Sequence, residues 1–263
     1  MEPSDPLPPP PGPVDRSDFT TRPSDYQYAF PRVVWQNPTG LARAVRIVLI
    51  VEAALLFLNV LASLYFRTVA SDYANGGRSD DEFLAAFGLW GMVSVLTLVG
   101  QIGTGVVVII WQWRLAKNHE LMGRPGTTFG PGWAIAGWLI PVVSLVIPYL
   151  QLRELWKGSD WRFRPHQPDW KDAPVGPALN LWWLGWIVGS VGGVVVQFAG
   201  QPDTDDLEAA ADSLESILSL SVPVLLISVA TAVLFLIVVQ QLTERHTHAV
   251  SLAAAGRLGE AEG

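Results

Sequence analysis

Four stretches of this chain carry no charge at all: Phe83–Trp113, Pro125–Leu152, Ala173–Pro202 and Ser216–Thr243. A fifth, Ile47–Phe66, is broken only by Glu52. Each is long enough to cross a hydrocarbon core of about 30 Å, which takes about 20 helical residues. Half of the residues are hydrophobic, 16% are charged and twelve are tryptophan, which excludes an ordinary water-soluble enzyme with one anchor. The expected fold is an all-α integral membrane protein with four transmembrane helices. The fifth hydrophobic segment, broken by proline, is re-entrant or kinked. The N-terminus, "MEPSDPLPPPPGPVDRSD", lacks a basic region followed by an apolar one, so it does not read as a cleavable signal, and the first span is expected to direct insertion. Without cysteine, disulfides, thiolate metal sites and cysteine nucleophiles are excluded.

Lysine and arginine concentrate in cytoplasmic loops. If all five runs cross, the seventeen basic residues divide almost evenly between the two sides. If the third run leaves on the side it came from, and the N-terminus is inside, fifteen lie inside and two outside. The expectation is therefore four spans, at about 45–66, 87–113, 178–200 and 216–242, with a broken segment at 131–157 and both termini cytoplasmic. The segment's own residues agree. Pro141 removes the N–H that would bond Gly137, and Pro148 does the same to Ser144. Trp133–Ile140 reads as a short half-helix. Pro148 suits the start of a second helix, which ends at Gly158 in the role of a C-terminal cap. Non-helical backbone at membrane depth must be satisfied by protein or water, so the 141–147 turn is expected to pack among the spans. A kinked spanning helix is the alternative.

Residues 1–38 are rich in proline, serine and aspartate and are expected to be a disordered cytoplasmic tail whose polyproline stretch could engage a protein partner. Residues 39–245 form the bundle, and 246–263 a short cytoplasmic tail. Gly185, Gly189 and Gly193 recur every four residues in the fourth span and predict close helix packing. Most tryptophans fall near the inner interface, which predicts an anchoring belt and contact with anionic inner-leaflet lipid. Glu52 is the intramembrane carboxylate, and pairing with a basic residue such as Arg114 or Lys117 is its first reading, ahead of proton or ion handling.

The four histidines have no carboxylate set that would complete a metal site. The acids Asp203, Asp205, Asp206, Glu208 and Asp212 read as a solvated outer loop. No phosphate-binding glycine loop, G-x-S-x-G or H-E-x-x-H is present. No cofactor and no nucleic-acid partner is expected. The remaining motif is "WQWRLAKNHELMG" (111–123), "PGWAIAGWLIPVVSLVIP" (131–148) and "ELWKGSD" (154–160). It resembles a bacterial multi-pass membrane family known as a domain of unknown function, over roughly residues 43–245. The residues that carry the resemblance are Trp111, Arg114, Asn118, Gly132, Trp133, Gly137, Trp138, Pro141, Ser144, Pro148, Glu154 and Trp156. The family often has asparagine where this chain has Ser144, so a side-chain amide role does not carry over. The resemblance implies a membrane class and no activity. The first functional reading is a non-enzymatic scaffold or partner-binding protein of the cell membrane. A small transporter or channel built on the broken segment is the second, and a lipid-modifying enzyme the third.

Overall fold

The structure is a computed structural model of the 263-residue chain, and it describes residues 35–164, 166–198 and 207–256. The expected disorder of 1–38 falls almost entirely outside those residues. From Trp35 onward the described chain is helical: α1 (Thr39–Ala74), α2 (Asp80–Leu121), α3 (Trp133–Leu139), α4 (Ile147–Gly158), α5 (Pro177–Phe198) and α6 (Leu207–Ala254). Helices α1, α2, α5 and α6 are long and apolar enough to cross a membrane; α3 and α4 form a pair bent by 113°.

Helices α1, α2 and α6 outrun the apolar runs that predicted them. Helix α2 begins at Asp80, seven residues before the expected span, because Ser79 and Glu82 form a reciprocal capping box there. Three acids in its first turn complement the positive end of the helix dipole. Helix α6 likewise continues to Ala254, into the segment 246–263 that the sequence marks as a short tail.

Helix α1 packs along both α2 and α6, and α5 lies on α6. One core holds Trp111, Leu115, Leu152, Leu155, Leu179 and Leu242. A second core, at the far end, joins Phe66, Phe83 and Leu218 with Trp90 against them. Between the two ends the outer faces stay apolar and uncovered: Ile102 is 62% exposed, Val99 61% and Phe198 83%. A bilayer, which needs no burial of such side chains in protein, accounts for this surface.

Glycine spacing requires one correction. A Cβ on Gly185 would strike Thr231 Oγ1, and one on Gly189 would touch Ser228 Oγ at 3.5 Å, so both face α6. Gly193 faces open space, and Gly192 takes its place, 2.8 Å from Val224 Cγ2 at the position of a Cβ. The steps are four and then three residues, which follow a 3.6-residue turn more closely than two steps of four do.

Candidate functional site

The broken segment is built as a hairpin. Ile140 leaves the helical region at ψ 117°, just before Pro141. Val142 then adopts φ 63°, an uncommon conformation for a β-branched residue. A short 3₁₀ turn over Val143–Leu145 leads into α4, with Pro148 in its first turn. Gly137 lets the two arms close, since a Cβ there would lie 2.9 Å from Ile147 Cγ2. The residues just before α3 are joined to the second half of α4 as well. The Thr128 and Phe129 amides donate to the Glu154 carboxylate at 2.9–3.1 Å, and Gln151 Nε2 donates to the Gly130 carbonyl at 3.2 Å. The chain therefore leaves the hairpin beside the point where it came in.

Three tryptophan indoles serve the segment. Trp183 donates to the Leu145 carbonyl at 3.0 Å, and Trp186 to the Ser144 carbonyl at 3.3 Å. Trp138 donates to Gln112 Oε1 at 2.9 Å, while Gln112 Nε2 donates to Gln151 Oε1 at 2.7 Å. Both glutamines are fully buried. Protein groups thus satisfy the Ser144 and Leu145 carbonyls of the turn. Replacing Trp183 and Trp186 together with Phe keeps a six-membered aromatic ring at each site but removes two donors along with the five-membered rings that carry them. At about 1 kcal/mol each, this is expected to lower the melting temperature in detergent by several degrees. An unchanged melting temperature would mean that other groups satisfy those carbonyls.

Below the hairpin lies a knot of charge. The Asp160 side chain is fully buried and accepts from Arg162 at 2.6 and 2.9 Å and from Arg245 on α6 at 2.5 Å. Arg245 also donates to the Trp156 carbonyl at 3.0 Å and lies 5.6 Å over that indole. Arg124, 4% exposed, donates to the carbonyls of Gly158, Asp160, Phe163 and Arg164 at 2.7–3.1 Å. Burial lowers the Arg124 guanidinium to about 10 against the opposing pull of Asp160, so it stays charged at neutral pH. Burial raises the Asp160 carboxyl, but the bonds from Arg162 and the charge of Arg245 outweigh it, and its pKa is lowered. Gly158 is the last helical residue and has no left-handed backbone, which corrects its expected capping role. It is glycine because the His119 ring occupies the space of a Cβ.

The other motif residues are spread around this knot. Trp111 is buried and donates to Thr243 Oγ1 at 3.2 Å. Asn118 holds Gln36 by its amide and carbonyl, both at 2.7 Å. Gly132 precedes α3, and the Trp133 ring meets Phe129 edge-on. Trp156 donates to the Pro174 carbonyl at 3.2 Å. Arg114 is half-buried, with no hydrogen bond among the described residues. Two open grooves, of about 530 and 210 Å³, lie at this end; Trp156, Trp161, Glu244 and Arg245 help line the first, and Arg153, Glu154, Lys157 and Lys171 the second.

Two sequence expectations change. Trp111, Trp156, Trp170 and Trp182 are at most 7% exposed, so these four pack in the interior and do not form a lipid-facing belt. Among the described residues Glu52 has no ion pair: it faces Gly100 on α2, and Arg114 lies fourteen residues farther along that helix, about 21 Å away. The residues with no individual role assigned from the sequence were Arg124, Asp160, Arg245, Gln112, Gln151, Trp183 and Trp186. The glutamines were legible in principle, as amides set in uncharged runs. The long-range ion pair had no local spacing to reveal it.

A family model described as "Domain of unknown function (DUF4328)" matches residues 77–244. It begins in the turn before α2, so α1 lies outside the matched region. No curated protein and no solved structure matches significantly.

Proposed function

The chain belongs to the DUF4328 family, and from that premise we propose that it is a non-enzymatic scaffold of the cell membrane, with both termini cytoplasmic and the α3–α4 hairpin re-entrant. One observation carries the proposal. The bonds that join Thr128, Phe129 and Gly130 to Glu154 and Gln151 support it, since they hold the second half of α4 beside the entry to α3. A segment crossing the bilayer would separate its two ends by about 30 Å. The hairpin's polar groups are spent on one another and on tryptophan, which suits a rigid support better than a path lined with free ligands. The ion-paired loops beneath it would form the cytoplasmic platform for a protein partner, with Arg153, Lys157 and Lys171 beside the second groove available to anionic inner-leaflet headgroups.

Flux separates this reading from a transporter. Proteoliposomes of the purified full chain, loaded with a pH-sensitive dye and then with potassium- or sodium-sensitive dyes, are expected to leak no faster than protein-free vesicles. Saturable, protein-dependent flux of any of these ions would overturn the scaffold reading.

A further inference from the structure

We infer that Glu52 is a proton-binding site within the membrane, holding a neutral carboxylic acid at the seam of α1 and α2. Glu52 is 5% exposed, and neither of its buried carboxylate oxygens has a hydrogen-bond partner among the described residues. Space has been made for it. A Cβ on Gly100 would lie 2.7 Å from Glu52 Oε2 and 2.8 Å from Leu55 Cδ1, so the carboxyl occupies the place of an α2 side chain.

The seam beyond it is a closed ladder. Trp90 donates to Ser63 Oγ at 3.1 Å, Ser63 to Asn59 Oδ1 at 3.4 Å, and Asn59 to Thr97 Oγ1 at 3.3 Å. Thr97 in turn bonds the Val93 carbonyl at 2.9 Å. These groups satisfy one another and leave the carboxyl out. Nothing charged compensates it from the helices packed on α1. The α2 run Phe83–Trp113 and the α6 run Ser216–Thr243 contain no charged or titratable side chain. On α1 itself the neighbours are Arg46, six residues toward one end, and Tyr65, thirteen toward the other.

A bare carboxylate in such a place is strongly disfavoured, and taking up a proton removes the charge. A metal ion would need several oxygen ligands at once, and the described residues contain no cluster of three or more acidic or imidazole groups. Proton uptake therefore resolves the unpaired charge without recruiting another residue.

A protonated carboxyl in an apolar site has a distinctive reaction with an apolar carbodiimide. Its O–H adds across one C=N bond: the oxygen bonds to the central carbon, and the proton goes to a nitrogen. The acyl group then migrates from oxygen to nitrogen, giving a stable N-acylurea with no atom lost and nothing oxidised. The full-length protein in liposomes is treated with dicyclohexylcarbodiimide and mapped by peptide mass. One adduct is expected on the peptide containing Glu52, falling as pH rises, insensitive to sodium at constant ionic strength, and absent with a charged, water-soluble carbodiimide. Glu52→Gln is expected to lose the adduct and keep its melting temperature within about two degrees, because it replaces one neutral group by another. No adduct on Glu52 at mildly acidic pH would overturn the inference. Protection by sodium would overturn it in favour of a cation site, and a melting temperature lowered by about ten degrees would reveal a charged partner.

Discussion

Asp160→Asn is expected to lower the melting temperature in detergent by roughly 6–12 °C, the equivalent of about 3 kcal/mol in a chain of this size. The side chain is fully buried and binds Arg245, whose side chain is only 24% exposed. Asparagine keeps the shape and loses the charge, so it leaves that guanidinium near an uncharged site, which is the costly way to break a buried pair. Arg162, 57% exposed, is screened by water, and Arg162→Gln is expected to cost less than about 1 kcal/mol. The pH dependence separates charge from packing. Asp160 has a lowered pKa in the fold, so its contribution is complete above the ordinary value of 3.8 and is lost as pH falls through the folded value. The Asn variant lacks that step, and its stability is expected to converge on that of the native protein under acid. Thermal unfolding against pH measures both effects; equal losses in the two variants at pH 7 would mean that the knot is not organised around Asp160.

Local chemistry explains why some of this structure was legible in the sequence. The break at 141 and the restart at 148 follow from proline's missing N–H and fixed φ, properties that act within one turn. The uncharged runs located the long helices for the same reason that lipid does: neither tolerates a charge. What satisfies the hairpin comes from elsewhere, since Trp183 and Trp186 are about forty positions from the carbonyls they cap. Glu52 shows the limit most clearly. Its distance from Arg46 was readable along one helix, but its neighbour depended on the register of α1 against α2, which the turn at residues 75–79 and the glycine at 100 set together.

Cysteine labelling gives the second large effect, since each position is either reached or protected. The chain has no cysteine, so single ones can be placed at Asp80, Lys117, His166, Asp205 and Ser251 without background. In intact cells a membrane-impermeant maleimide is expected to label positions 80 and 205 and to spare the other three. A crossing segment with the N-terminus inside would expose 80, 166 and 251; the inverted protein would expose 117 and 205. Position 166 decides, and the geometry bears on it directly. The His166 amide bonds the Gly123 carbonyl at 3.4 Å, across the two loops that flank the hairpin. Arg124 ties those loops at four further carbonyls. Moving 166 to the opposite face of the membrane from 117 would require all of these bonds to open. Labelling at 166 and 251 but not at 205 would show that the segment crosses.

The reciprocal bonds between Asn118 and Gln36 have a mechanical consequence. Together they resemble one rung of a strand ladder, set just ahead of α1, with Trp35 beside them against the cluster of Met122 and Ala249. Tension on the chain upstream of residue 36 would meet this clamp first. Part of the load would pass into α2 six residues before Arg124, and from there into the loops that Arg124 binds, before it reached α1. The clamp would thus share with α1 any pull arriving from upstream, in the way that a strain relief protects the joint of a cable.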